Sequence, residues 1–185
     1  MNVFDFDKTI YNGNSIVQFC LWLVRRHPRL WFGLVKISVY TIPYLLRLRN
    51  RKWLIERCYI GFMPYINSKR EVEEFWRTYG HKRIKKWYLR MKQPTDVIST
   101  ASPEFFVAPM AKELGVRLQG TLINTKTGRM TSYNRGREKV VRFRKEYTKA
   151  KIDKFYSDSH ADAPLAGFAK QAFWVDGDKI TPWPK

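Results

Sequence analysis

The chain has 185 residues, and 35 Lys and Arg against 16 Asp and Glu give a formal net charge of +19. That length fits one domain, or a compact core with an insertion, and 44% hydrophobic residues, with 12 Phe, 10 Tyr and 7 Trp, argue against a disordered chain. Two cysteines, Cys20 and Cys58, make neither a disulfide scaffold nor a zinc site, and the basic surface suits a phosphate-bearing ligand: nucleic acid, anionic lipid or a small phosphoester.

The opening residues, MNVFDFDKT, carry two acids where a cationic leader would stand, so no secretory leader is expected. The cysteine usage points to a reduced, cytoplasmic compartment, with attachment to the cytoplasmic face of a membrane as a further option. Asn2 to Phe6 reads as a first strand that breaks into a loop at Asp7-Lys8-Thr9. From Asn14 to about Met91 the pattern is helical. Ser15 is expected to cap a helix through IVQFCLWLVRR, which Pro28 stops. An apolar stretch from Leu30 to Leu48 ends in RLRNRK, and a third piece runs from Trp53 to Phe62, ended by Gly61 and Pro64. Ser68 then opens a long amphipathic helix. Val72, Phe75, Trp76 and Tyr79 recur at spacings of three and four, as do Ile84, Trp87, Tyr88 and Met91.

The period changes after Pro94. Asp96 to Thr100 is a short strand, Pro103 to Leu114 a helix closed by Gly115, and Arg117 to Thr125 a strand leading into the turn TKTGRM. Arg137 to Tyr147 is a basic helix. Ile152 to Ser157 and Ala172 to Val175 are strands, with a helix from about Ala163 between them. Alternating strands and helices predict an α/β class with a Rossmann-like parallel sheet. The core would comprise residues 1–13 and 93–185, and a helical cap would comprise residues 14–92. An insert after the first strand falls where open α/β sheets form their ligand crevice, and would roof it. Leu30 to Leu48 contains Lys36 and Pro43, with Arg47 and Arg49 close by. A span needs about 20 apolar residues, so a buried helix or one lying on a membrane surface is the preferred reading.

Four segments carry chemistry. Asp5 and Asp7, two apart at a strand end, leave toward the same side; close carboxylates are kept for a metal, a shared proton or a nucleophile. Val97 to Pro103 delivers Thr100 to the start of a helix, where hydroxyls and free N–H groups bind phosphate oxygens while Ser102 caps. Gly136-Arg137-Glu138-Lys139 puts a lysine at a helix beginning, within reach of a phosphate or an aspartate. Phe155 to Asp162 ends a strand in Asp158 and Asp162, a set that suits a hard cation. Each segment has a plainer reading as a loop or helix cap. His160 reads as a loop histidine, and His27 and His81 as surface. The segment His81 to Lys92, HKRIKKWYLRMK, has a nucleic-acid-like composition. A solvated helix with Trp87 and Tyr88 facing the core is preferred, so nucleic acid is not the expected partner. Trp22, Trp31 and Trp53 suit either a lipid interface or packing within the insert.

The order DxDxT, strand-Thr, GxxK, DxxxD resembles the haloacid dehalogenase superfamily of aspartate-nucleophile phosphatases, over nearly the whole chain and including a cap after the first motif. Within it, the chain resembles the phosphoserine phosphatase-like branch. The strings FCLWLVRRHPRLW, Thr100-Ala101-Ser102-Pro103 and Tyr156 to Leu165 (YSDSHADAPL) look like the bacterial phosphatidylglycerophosphatase C family.

The resemblance implies a phosphoric monoester hydrolase. Asp5 would take the phosphoryl group, and Asp7 would protonate the leaving alkoxide and then deprotonate the attacking water. The phosphate would meet Asp5, Phe6, Asp7, Thr100, Ala101 and Lys139. Mg²⁺ would be held by the Asp5 carboxylate, the Asp7 carbonyl and Asp158, with Thr9 and Asp162 in support. Lys8 stands where the superfamily most often has Gly, and Ala161 where phosphoserine phosphatases have Asn. No acid follows the nucleophile to meet a substrate amino group, so phosphoserine is not the expected substrate. A lipid-linked phosphate such as phosphatidylglycerophosphate, with peripheral association to an anionic membrane, is one reading. A soluble sugar or metabolite phosphate is a second, and a non-catalytic membrane- or nucleic-acid-binding module is a third.

Overall fold

A computed structural model describes residues 1–63 and 68–184. It is an α/β structure around one seven-stranded sheet, ordered β4-β3-β2-β1-β5-β6-β7. The strands are β1 (Val3–Phe4), β2 (Val97–Pro103), β3 (Arg117–Ile123), β4 (Met130–Ser132), β5 (Ile152–Ser157), β6 (Ala169–Asp176) and β7 (Lys179–Pro182). β3, β2, β1, β5 and β6 run parallel, and the edge strands β4 and β7 are antiparallel. The helices are α1 (Ser15–Arg26), α2 (Trp31–Leu45), α3 (Arg51–Phe62), α4 (Ser68–Thr78), α5 (Lys86–Met91), α6 (Glu104–Leu114), α7 (Arg137–Glu146) and α8 (Ala163–Ala166).

Strand alternation divides the core between the two faces of the sheet. Val3 stands in register with Val97 and Phe155, and all three join Phe143 of α7 and Leu165 of α8 in one cluster. Phe4, Ile98 and Tyr156 face the other way, with Phe106 and Met110 of α6 and with Phe19, Leu23, Phe75, Trp76 and Tyr88 from the helices inserted after β1. The inserted helices and the sheet therefore share one aromatic core. Phe4 stacks on Tyr156 at 4.7 Å between centroids, and Trp76 Nε1 donates to the Phe106 carbonyl at 2.6 Å.

Several expectations need correction. Ser15 does not cap α1: Asn14 does, its side chain accepting from Val17 N, and Ser15 is the first helical residue. Ser102 does not cap α6. β2 runs three residues past its expected end at Thr100, Pro103 occupies the cap position without a side-chain bond, and the Ser102 hydroxyl turns elsewhere. The long helix from Ser68 to Met91 is two helices separated by a 3-10 turn at Gly80–Arg83. A Cβ at Gly80 would collide with the Trp76 ring, and the chain turns where that close approach occurs. The two-residue turn Gly177-Asp178, with Gly177 at φ 57°, makes a hairpin that adds β7. Asp162 makes no cap bond for α8. Pro64, expected to help end α3, lies outside the described residues. Trp87 and Tyr88 pack against Phe4, as the plainer reading of 81–92 expects.

Candidate active site

The carboxyl ends of β1, β2 and β5, and the start of α7, converge. Asp5, Asp7, Lys8, Thr100, Ala101, Lys139, Asp158 and Asp162 line a single cavity of about 490 Å³. Of the expected residues, Phe6 and Thr9 stand apart from its wall. The Phe6 ring is buried against Tyr11 and Trp76, which leaves only its backbone for a ligand. Thr9 is buried behind Asp158, accepting from Asp158 N at 3.1 Å and donating to its Oδ1 at 3.4 Å.

Asp5 follows β1 directly, and its N–H donates to the Tyr156 carbonyl at 2.9 Å, so the ladder to β5 fixes it. Lys139 is fully buried, and its Nζ donates to Asp5 Oδ1 at 2.7 Å and Asp162 Oδ2 at 2.8 Å. The lysine arrives there because Gly136 begins α7 at φ 60° and ψ −128°, a conformation suited to glycine. Ser157 Oγ donates to the same Asp162 oxygen at 2.8 Å. Asp7 accepts from Ser15 N at 2.6 Å, at the start of α1, and from Ser102 Oγ at 2.5 Å. Thr100 Oγ1 in turn accepts from Ser102 N at 3.1 Å.

Burial governs the electrostatics. It pushes the Asp5 carboxyl up to about 7, against the pull of Lys139, and Asp162 and Asp158 add to the rise. It raises Asp7 too, against the bonds from Ser102 and Ser15. It raises Asp158, with Lys8 opposing. Burial alone would depress the Lys139 ammonium; Asp5 and Asp162 outweigh it and hold it above its ordinary value. Two of the four aspartates share the one buried ammonium, and the remaining cationic groups of the cavity, Lys8, Arg51 and Arg135, make no ion pair with Asp7 or Asp158. No group of three His, Cys, Asp or Glu side chains able to hold a metal lies among the described residues. Mg²⁺ does not need three: one or two carboxylates with water and substrate phosphate suffice. Asp5 and Asp158, two carboxylates on one cavity wall, fit that donor set.

Sequence reasoning missed several residues. Ser102 orients Asp7. Asn134 Nδ2 donates to the Thr100 carbonyl at 3.0 Å and the Gln119 carbonyl at 2.9 Å, clamping the end of β2. Lys85 Nζ donates to the Lys8 carbonyl at 2.6 Å and to the Gly177 carbonyl. It thereby ties down a loop in which Lys8 adopts φ 59°. Arg51, Ile55 and Tyr59 of α3, Ile16 and Val17 of α1, and Tyr133 and Arg135 complete the cavity wall. Of these, the sequence flagged only the Lys8 loop, as a departure from the Gly that the resembled superfamily most often has there. His160 packs against Trp174 with ring centroids 4.5 Å apart and tilted by 34°, outside the cavity wall.

The family model for haloacid dehalogenase-like hydrolases matches residues 3–167. Protein CicA of Caulobacter vibrioides is 27% identical over 190 aligned positions, covering 91% of this chain and 82% of that protein. A protein of unknown function from Bordetella pertussis Tohama I shares the fold at a TM-score of 0.76 and 20% identity, covering 93% of this chain and 87% of that one. A phosphoserine phosphohydrolase-like protein from Francisella tularensis does so at a TM-score of 0.62 and 17% identity, covering 93% and 86%. The chain belongs to the haloacid dehalogenase-like hydrolases.

Proposed function

We propose that this haloacid dehalogenase-like hydrolase is a Mg²⁺-dependent phosphatase that cleaves a lipid-linked phosphate monoester through an aspartyl-phosphate on Asp5. The observation that carries the reading is the convergence of Asp5, Asp7, Thr100, Lys139 and Asp158 on one cavity. The fold shared with phosphoserine phosphatase-like proteins agrees with it.

An Asp5 oxygen attacks phosphorus, and the bond to the alkoxide breaks. Asp7, whose hold on a proton burial strengthens, gives its proton to the alkoxide. Water then attacks the aspartyl-phosphate while Asp7 takes its proton, releasing inorganic phosphate and restoring Asp5. Lys139 and the Thr100 hydroxyl offset charge on the phosphoryl oxygens. Ser102 and the Ser15 N–H hold Asp7 in one orientation. When bound at Asp5, Asp158 and the Asp7 carbonyl, Mg²⁺ supplies the positive charge that a carboxylate needs to approach a phosphate.

The lipid assignment draws on the cavity wall formed by the inserted helices. Ile16, Val17, Ile55 and Tyr59 present apolar surface, and Arg51 and Arg135 add cationic groups beyond Lys8 and Lys139. That wall suits a phosphate attached to a second anionic group and an apolar body, as in phosphatidylglycerophosphate. The test is phosphate release from p-nitrophenyl phosphate, sugar phosphates, phosphoserine and micellar phosphatidylglycerophosphate, with Mg²⁺ or chelator, beside Asp5→Asn. Release is expected to need both Mg²⁺ and Asp5, with kcat/KM highest for the micellar substrate. Release that survives Asp5→Asn would overturn the mechanism, and a sugar phosphate as best substrate would overturn the lipid assignment.

A further inference from the structure

The helix α2 is apolar on two sides, and only one has a partner. Leu34 and Ile37 pack against the main core. Trp31, Val35, Val39, Ile42, Leu45 and Leu46 are 56–73% exposed. At roughly 100° per residue, these six fall within an arc of about 120°. Ser38 falls in the same arc, but its hydroxyl donates to the Val35 carbonyl at 2.7 Å, and Thr41 donates to the Ser38 carbonyl at 2.6 Å. Hydroxyls satisfied within their own helix need no water, so the stripe is apolar along its length. Nothing among the described residues covers this apolar face.

The surroundings say what covers it. No acid occurs between Asp7 and Glu56, whereas nine lysines and arginines do. Arg47, Arg49, Arg51 and Lys52 cluster where α2 turns into α3, and no described acidic side chain pairs with them. At that turn Tyr40 meets Trp53 edge-to-face at 6.0 Å, and the Arg49 guanidinium stands 5.6 Å from the Trp53 ring centre. Aromatic and cationic groups together suit the headgroup level of a bilayer. The 15 residues of α2 reach about 22 Å, short of a hydrocarbon core of about 30 Å. No helix among the described residues is long and apolar enough to cross a membrane. A helix of this kind lies in the interface. A second copy of the chain would bring two acid-free basic faces together, so charge complementarity selects an anionic surface.

We propose that the outer face of α2, with the basic turn at 47–52, docks on an anionic lipid bilayer with α2 lying in its plane. The α3 helix packs against α2, and its Arg51, Ile55 and Tyr59 line the catalytic cavity, so one helix separates the bilayer from the site. Docking does not depend on the phosphatase reading, because binding is measured without turnover.

The experiment is co-sedimentation of the full chain with phosphatidylcholine vesicles, with and without phosphatidylglycerol. Binding is expected only with phosphatidylglycerol, weakening as salt is raised. The double variant Val35→Glu/Val39→Glu should bind about tenfold less at an unchanged melting temperature. Arg47→Glu/Arg49→Glu should weaken binding similarly through charge alone. Asp5→Asn should bind like the unaltered chain. A chain that stays in the supernatant with anionic vesicles overturns the proposal, as does full binding by both double variants. A dimer that Val35→Glu/Val39→Glu disperses, without vesicle binding, assigns the face to a second copy instead.

Discussion

The carboxyl ends of β1, β2 and β5 and the outer face of α2 are opposite solutions to solvation. At the first, Asp5, Asp7, Asp158 and Asp162 are drawn out of water, and each accepts a hydrogen bond from a named donor. At the second, six large apolar side chains remain in water with no described neighbour to cover them. Buried charge is expensive enough to force a network of fixed geometry, so the site's rigidity is explained from inside the molecule. Exposed apolar surface fixes nothing within the fold, and its explanation lies outside it.

The contrast can be broken by substitutions on either side. Asp5→Asn should reduce phosphate release by about 10³-fold or more, with no loss of melting temperature, because it removes a carboxylate that burial disfavours. A matched loss of stability would show that Asp5 acts structurally. Lys139→Met should lower unfolding free energy by about 3 kcal/mol in urea titration, since two buried carboxylates lose their shared cation. Unchanged stability would mean that a shared proton replaces the ammonium.

Lys85→Met should cost about 1–2 kcal/mol and lower kcat more than it raises KM, as the loop around Lys8 loosens. Equal effects on both would argue against a role in holding that loop. The fourth test is pH. Asp5 holds its proton up to about 7 in the fold against an ordinary 3.8. Its contribution to stability is complete below 3.8 and is lost as pH rises through 7. The cation-free chain should therefore melt lower at about pH 8 than at about pH 5, and Mg²⁺ should raise the melting temperature more at the higher pH. Smallest of all, Val39→Ser should change stability by no more than about 0.5 kcal/mol, because that side chain is already in water.

Much of the site was legible because its residues sit in short strings that strand geometry places. Asp5 and Asp7 follow a short apolar run, and Asp158 follows another, so parallel pairing brings them to one end of the sheet. The Ser102 hydroxyl was not legible. Its partner depends on β2 continuing to Pro103, and Ser-Pro before a helix reads locally as a cap. The break at Gly80 was hidden by a period that continues across it. Gly80 marked it only through contact with Trp76. The cavity wall of Arg51, Ile55, Tyr59 and Arg135 is drawn from segments with no chemical pattern of their own. Gly177-Asp178, by contrast, was a hairpin signal present in the sequence and not used.

The sequence by itself determined the α/β class, the order of the four motifs and the aspartates and lysine those motifs carry. Those follow from local periodicity and from acids placed where strands end. Only the tertiary structure decided which groups hold Asp7 and Lys139, which helices wall the cavity and which side of α2 faces water. A uniformly apolar helix has no period that reveals its buried side, and a buried hydroxyl or lysine acquires its partner only when strands distant in sequence are packed together.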